Sequence, residues 1–113
     1  MNLEEISEVI IDSEGDFKFI QLKYKEKTIL YGNSKEILYR KLYHSFLNEF
    51  IKEDQVRELI PIGGGRIFVD KEKKLIEAYG YSNIYGRFKD EVVREILTRF
   101  IEEKMKGFSL KIS

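Results

Sequence analysis

Residues 17–32 read FKFIQLKYKEKTILYG, and this stretch decides the fold. Phe17 and Phe19 share one parity, while Ile20, Leu22 and Tyr24 share the other. A period of two predicts a strand over 17–25, and the change of phase predicts a bulge or a start buried on both faces. Residues 27–32 (KTILYG) predict another strand, close enough behind the first to pair with it as a hairpin. Upstream, 6–12 (ISEVIID) reads as a short strand, followed by the turn residues Ser13-Glu14-Gly15-Asp16. Gly15 there is free to take positive φ.

Downstream the period changes to that of a helix. Asn33 is a candidate N-cap, with Glu36 three residues later as in a capping box. Leu38, Leu42, Phe46 and Phe50 recur at i+4, flanked by Tyr39, Tyr43, Leu47 and Ile51. That wide apolar stripe predicts a helix ending near Glu53 or Asp54. Residues 58–62 (ELIPI) predict a strand that stops at Gly63-Gly64-Gly65, and 66–69 and 74–79 predict two more strands. Gly80 to Gly86 reads as a loop. Val92, Val93, Ile96, Leu97, Phe100 and Ile101 mark a second helix over 88–106, with Gly107 as its stop and 108–112 as a last strand. The expected fold is α/β (α+β): a mixed, partly antiparallel sheet of about six strands covered by two amphipathic helices. With no linker or internal repeat, residues 1–113 read as a single domain.

Composition narrows the function. Hydrophobic residues make up 42% of the chain, which supports a core and argues against disorder. Twenty basic residues balance 20 acidic ones, so the chain lacks the net charge of a general nucleic-acid binder, and no nucleic-acid partner is expected. The absence of Cys excludes disulfides, thiolate zinc sites and a cysteine nucleophile. The opening Met1-Asn2-Leu3-Glu4-Glu5 is not a signal peptide, and no apolar run reaches the roughly 20 residues that span a bilayer. A cytoplasmic monomer with no membrane partner is the expectation.

Four places could carry chemistry. His44, the one histidine, falls at the edge of the first helix's apolar stripe, beside Arg40 and Lys41. An edge imidazole can serve as a general base, or be an idle surface residue beside two cations. One histidine cannot build a His-based metal site. Gly63-Gly64-Gly65-Arg66 can present backbone N–H groups and a guanidinium to an anion, or simply connect two strands. It fits neither a P-loop nor a dinucleotide-binding motif. Tyr79-Gly80-Tyr81-Ser82-Asn83-Ile84-Tyr85-Gly86 offers hydroxyl and amide donors to phosphate oxygens, or is a structural loop packed by its tyrosines. Lys18 stands at a strand start and alone is an ordinary surface lysine.

Together these segments resemble the Janus/Ocnus family, whose best-known members are small phosphohistidine phosphatases. IDSEGDFKFIQLKY (11–24), YHSFLNEF (43–50), GGGRI (63–67) and YGYSNIYG (79–86) come in the family's order, and the resemblance covers residues 9–86. It implies that His44 is the general base or the phospho-acceptor, and that Lys18 binds the substrate phosphate. Arg66 would orient the site, and Ser45 with Ser82, Asn83 and Ile84 would supply donors to the phosphoryl oxygens. The implied reaction is metal-independent hydrolysis of a P–N bond, without a cofactor, in a phosphohistidine-containing protein or a small phosphoramidate. A phosphate-binding module without turnover is the alternative. Two positions depart from the family pattern. A family arginine is replaced by Tyr31, for which Arg40 could substitute, and Val69 stands where some members have a further histidine.

Overall fold

The computed structural model describes residues 5–51 and 58–113. Chain order is β1 (Val9–Ile10), β2 (Gly15–Tyr24), β3 (Lys27–Gly32), α1 (Tyr39–Phe50), β4 (Leu59–Asp70), β5 (Leu75–Tyr79), α2 (Asp90–Lys104) and β6 (Ser109–Ile112). The strands form one mixed sheet in the order β1-β3-β2-β4-β5-β6. Its centre is antiparallel, and the two outer pairs, β1 with β3 and β5 with β6, are parallel. The second parallel pair is reached through α2, the crossover that such pairing requires. The expected α+β architecture is therefore present.

The change of phase in β2 has a simple cause: the sheet is covered on both faces. Phe17 and Phe19 join Ile67, Val69, Ile76 and Ala78 beneath Val93, Ile96 and Leu97 of α2. Ile20, Leu22 and Tyr24 join Ile29 and Tyr31 beneath Leu42 and Phe46 of α1. Phe19 is fully buried, with its ring 5.3 Å from that of Phe88. Burying a side chain of that size contributes about 1.5–3 kcal/mol. An irregularity does occur between Gln21 and Leu22, but β2 keeps its register with β3. Gln21 pairs with Gly63 and Leu22 with Pro61, so the extra residue is Ile62 of β4.

Three boundaries differ from the sequence reading. The predicted strands 58–62 and 66–69 are one strand, β4, which runs straight through Gly63-Gly64-Gly65. A glycine run reads as a break because Gly weakens strands, yet here each glycine is required by what crosses it. A Cβ on Gly63 would lie 2.7 Å from the Arg87 carbonyl oxygen, and one on Gly64 2.7 Å from that of Phe19. On Gly65 it would lie 2.6 Å from the Tyr79 carbonyl oxygen. Second, α1 starts at Tyr39, with Leu38 as its N-cap and no side-chain cap. Asn33 does accept the Lys35 and Glu36 N–H groups, at 3.0 and 3.1 Å, but that turn does not run on into the helix. The helix ends at Phe50, whereas the expected stops, Glu53 and Asp54, lie outside the described residues. Third, the strand predicted over 6–12 shrinks to Val9–Ile10. Among the described residues no helix is long and apolar enough to cross a membrane.

Candidate functional site

The site follows from which part of the sheet α1 leaves uncovered. Alternation along β2 puts Asp16 and Lys18 on the α1 face, beyond the N-terminal end of the helix. The antiparallel register sets Lys18 directly opposite Arg66 of β4, and Arg66 opposite Tyr79 of β5. Two cations side by side across a ladder repel one another. The repulsion is only partly offset. Asp16 accepts from Arg66 Nε at 3.1 Å and from the Tyr79 hydroxyl at 2.7 Å, and the Tyr79 oxygen lies 3.3 Å from Nε. Burial lowers the Arg66 pKa, but Tyr79 and Asp16 outweigh it and raise it overall, so the guanidinium stays charged. Burial, then the Asp16 hydrogen bond, pushes the Tyr79 phenol above its ordinary value.

Lys18 Nζ donates to the Ile37 carbonyl at 2.6 Å and sits 4.9 Å from the centre of the Tyr39 ring. Tyr39 anchors the first turn of α1. Its buried hydroxyl donates to the carbonyls of Gly65 and Tyr81, each at 3.1 Å. Burial raises its pKa, with the nearby Arg66 charge opposing. A cleft of about 460 Å³ opens here, lined by Lys18, Leu38, Tyr39, Arg40, Tyr81, Asn83 and Ile84. Among the described residues, no carboxylate lines it. Among the described residues, no acceptor takes the Tyr39 and Arg40 N–H groups of the uncapped helix start. Free amides at a helix N-terminus, beside Lys18 and Arg40, make a cradle for a dianion.

The opposite wall is fixed by the sheet itself. Gly64 N–H donates to the Gly86 carbonyl at 3.0 Å, and Phe88 N–H donates to the Gly64 carbonyl at 3.2 Å. The loop therefore extends the sheet alongside β4 where β5 has ended. Ser82 and Gly86 close the loop with reciprocal backbone bonds of 3.0 and 2.9 Å. Arg87 ties it to its surroundings, donating to the Gly80 carbonyl at 2.8 Å and to Asp90 at 2.9 Å. Gln21 Oε1, fully buried, accepts the Lys89 N–H at 2.8 Å.

The structure brings together some of the expected site residues. Lys18, Arg40, Asn83 and Ile84 share the cleft, and Arg66 borders a smaller cavity that also includes Lys18. Gly63, Gly64 and Gly65 lie inside β4, so they admit the loop instead of forming a turn around an anion. Ser82 is buried, and its Oγ accepts the Ile84 and Tyr85 N–H groups at 3.2 and 2.9 Å, which occupies those amides. Ser45 lies elsewhere: its hydroxyl donates to Glu36 at 3.1 Å, in a cavity that also holds Asp12 and Glu49. His44 is exposed on α1 outside the lining of the cleft, and the Tyr43 ring lies 6.0 Å from its own. It follows Arg40 by four residues, so the two share a helix face about 5–6 Å apart at Cβ. Tyr31 is buried against Phe46, ring centres 5.2 Å apart, and Val69 is buried in the α2-side core. Among the described residues, no three His, Asp or Glu side chains are grouped to hold a metal ion.

Sequence reading missed Asp16, Leu38 and Tyr39 as parts of the site. By spacing alone, Tyr39 belongs to an apolar row of the helix. For Asp16 the available signal was its even spacing from Lys18, which puts both on one face of a strand.

The Janus/Ocnus family model matches residues 3–106 of the chain, so the match extends into α2, past the four motifs. The chain is similar to the 14 kDa phosphohistidine phosphatase of Sus scrofa, with 32% identity over 103 residues, 83% of this chain and 82% of that protein.

Proposed function

The chain belongs to the Janus/Ocnus family, and from that premise we propose that it hydrolyses the P–N bond of phosphohistidine in a protein or a related phosphoramidate. One observation carries the reading: Lys18, Arg40 and the uncapped start of α1 meet in a cleft that, among the described residues, no carboxylate lines. Phosphoryl transfer depends on placing and stabilising charge on the equatorial oxygens, and aimed cations and amides do both. In this reading Lys18 and Arg40 neutralise the phosphoryl group, and the Tyr39 and Arg40 amides bond its oxygens. Asn83 adds a donor from the loop. Arg66, held by Asp16 through Nε, keeps both Nη groups for an approaching phosphate.

The reaction needs a water to attack phosphorus as the P–N bond breaks, with the released imidazole taking up a proton. His44 accepts the proton of that water or itself receives the phosphoryl group, which water then removes. The cations do the electrostatic work, so the proposed step uses neither metal nor cofactor. One observation favours a second reading, a phosphate-binding module without turnover: His44 lies outside the lining of the cleft.

The experiment that decides is phosphate release from a phosphohistidine peptide by wild type and His44→Ala, with a chelator present. Release that resists the chelator and disappears in His44→Ala supports the hydrolase. Equal inactivity of both, with phosphate still shifting the Asn83 amide resonance, supports the binding module.

A further inference from the structure

The cleft has an apolar rim that phosphate binding alone does not need. Six large apolar side chains are exposed among the described residues, and four of them surround this one site. Tyr81 is 68% exposed, Ile84 53% and Leu38 40%, all on the cleft, and Ile37, at 74%, stands over the adjoining cavity that shares Lys18. Single exposed apolar residues are ordinary, but a cluster of them marks a contact surface. These four come from two separate segments of the chain, 37–38 and 81–84, that line the cleft and its adjoining cavity. Ile37 does not pack its side chain there as structural filler. What ties its residue to the site is its carbonyl, which accepts from Lys18.

We infer that this surface selects a phosphorylated segment of polypeptide whose phosphorylated side chain is flanked by large apolar residues. The inference rests on the reading that the cleft binds a phosphoryl group. Charge complementarity fixes where the phosphoryl group sits, against Lys18, Arg40 and the start of α1. Ile37, Leu38, Tyr81 and Ile84 then meet neighbouring side chains of the same segment. A free phosphoramidate would leave the rim uncovered. The cleft's volume, about 460 Å³, holds a phosphorylated side chain entering from above, which a flat lipid surface does not supply.

The test uses two short peptides carrying a non-hydrolysable phosphonate analogue of phosphohistidine, identical except for flanking leucines in one and serines in the other. Affinity is read by fluorescence anisotropy, and turnover of phosphoramidate is measured in parallel. The leucine peptide is expected to bind wild type about tenfold more tightly, as partial burial of two leucines predicts. In Ile37→Ser that ratio falls to about threefold, because the exposed apolar side chain is lost. Tyr81→Ser provides a second, independent reduction of the ratio. Equal affinity for the two peptides overturns the inference, as does binding of neither. So does Ile37-dependent binding to anionic lipid vesicles without discrimination between the peptides. If wild type fails to turn over phosphoramidate, the hydrolase reading falls, and the anisotropy ratio alone still upholds or overturns the flanking preference.

Discussion

The two helices begin in opposite ways. The first turn of α2 carries Asp90 and Glu91, and Arg87 just ahead of it donates to Asp90 through both Nε and Nη2, at 2.9 and 3.0 Å. The positive end of that helix is complemented from within. Neither helix has a side-chain cap, but the first turn of α1 also has no acidic residue, and Lys18 and Arg40 add positive charge beside it. Left alone, α1 is the less favourable arrangement. Such a start costs stability that a bound anion would return, which is how a site differs from a scaffold.

The contrast can be broken most severely at Lys18. Lys18→Ala should lower P–N hydrolysis by about 10²–10³-fold with unchanged far-UV circular dichroism, the effect of removing one aimed donor. Retained turnover would make the start of α1 no more functional than that of α2. A sharper test gives α1 a negative charge at its start, as α2 has in its first turn. Leu38 has the extended backbone of an N-cap, so Leu38→Asp should stabilise the fold by about 0.5–1 kcal/mol in urea unfolding. The same change should weaken inorganic phosphate binding by about tenfold in calorimetry, because a carboxylate then occupies the cradle.

Two smaller effects concern pH. Tyr31, Tyr39, Tyr79 and Tyr85 all have phenols raised by burial. Above pH of about 10 the unfolded chain releases these protons while the folded chain keeps them. Stability from them is therefore complete below that pH and falls as pH rises through the folded values. Urea midpoints between pH 9 and 11 should decline, less steeply in Tyr39→Phe. The smallest effect lies at α2. The Arg87 hydrogen bond holds the Asp90 carboxyl below its ordinary value, so its contribution is present at neutral pH and fades as acid protonates it. Asp90→Asn should lower the melting temperature slightly at pH 7 and leave it unchanged at pH 2, by calorimetry.

Much of this fold was legible because periodicity reports burial directly. The β2–β3 hairpin, the buried rows of both helices and the Gly107 stop, with φ of 92°, appear where the sequence puts them, whereas Leu38 and Val92, read into those stripes, are exposed. Local signals failed where distant chain decided the matter. Gly63-Gly64-Gly65 reads as a break, and only the close approach of the Arg87, Phe19 and Tyr79 backbone explains its place in a strand. Asn33 and Glu36 look like a helix start, but the turn they make stays separate from α1. The site was legible as residue types and not as an arrangement. Lys18 and Arg66 are adjacent only through strand register, which spacing along the chain does not encode. The same limit hid Tyr39, whose two acceptors lie 26 and 42 residues away.

The hydrogen bonds between Gly64 and the 86–88 segment have one more consequence. A wall stitched into a β-sheet cannot swing aside without opening part of that sheet, so the cleft is ordered before anything enters it. The conformational entropy lost on association then falls almost wholly on the incoming chain. Phosphorylated sites in loose tails or exposed loops, which can mould themselves to a fixed surface, would engage it more readily than the same group held on a folded helix.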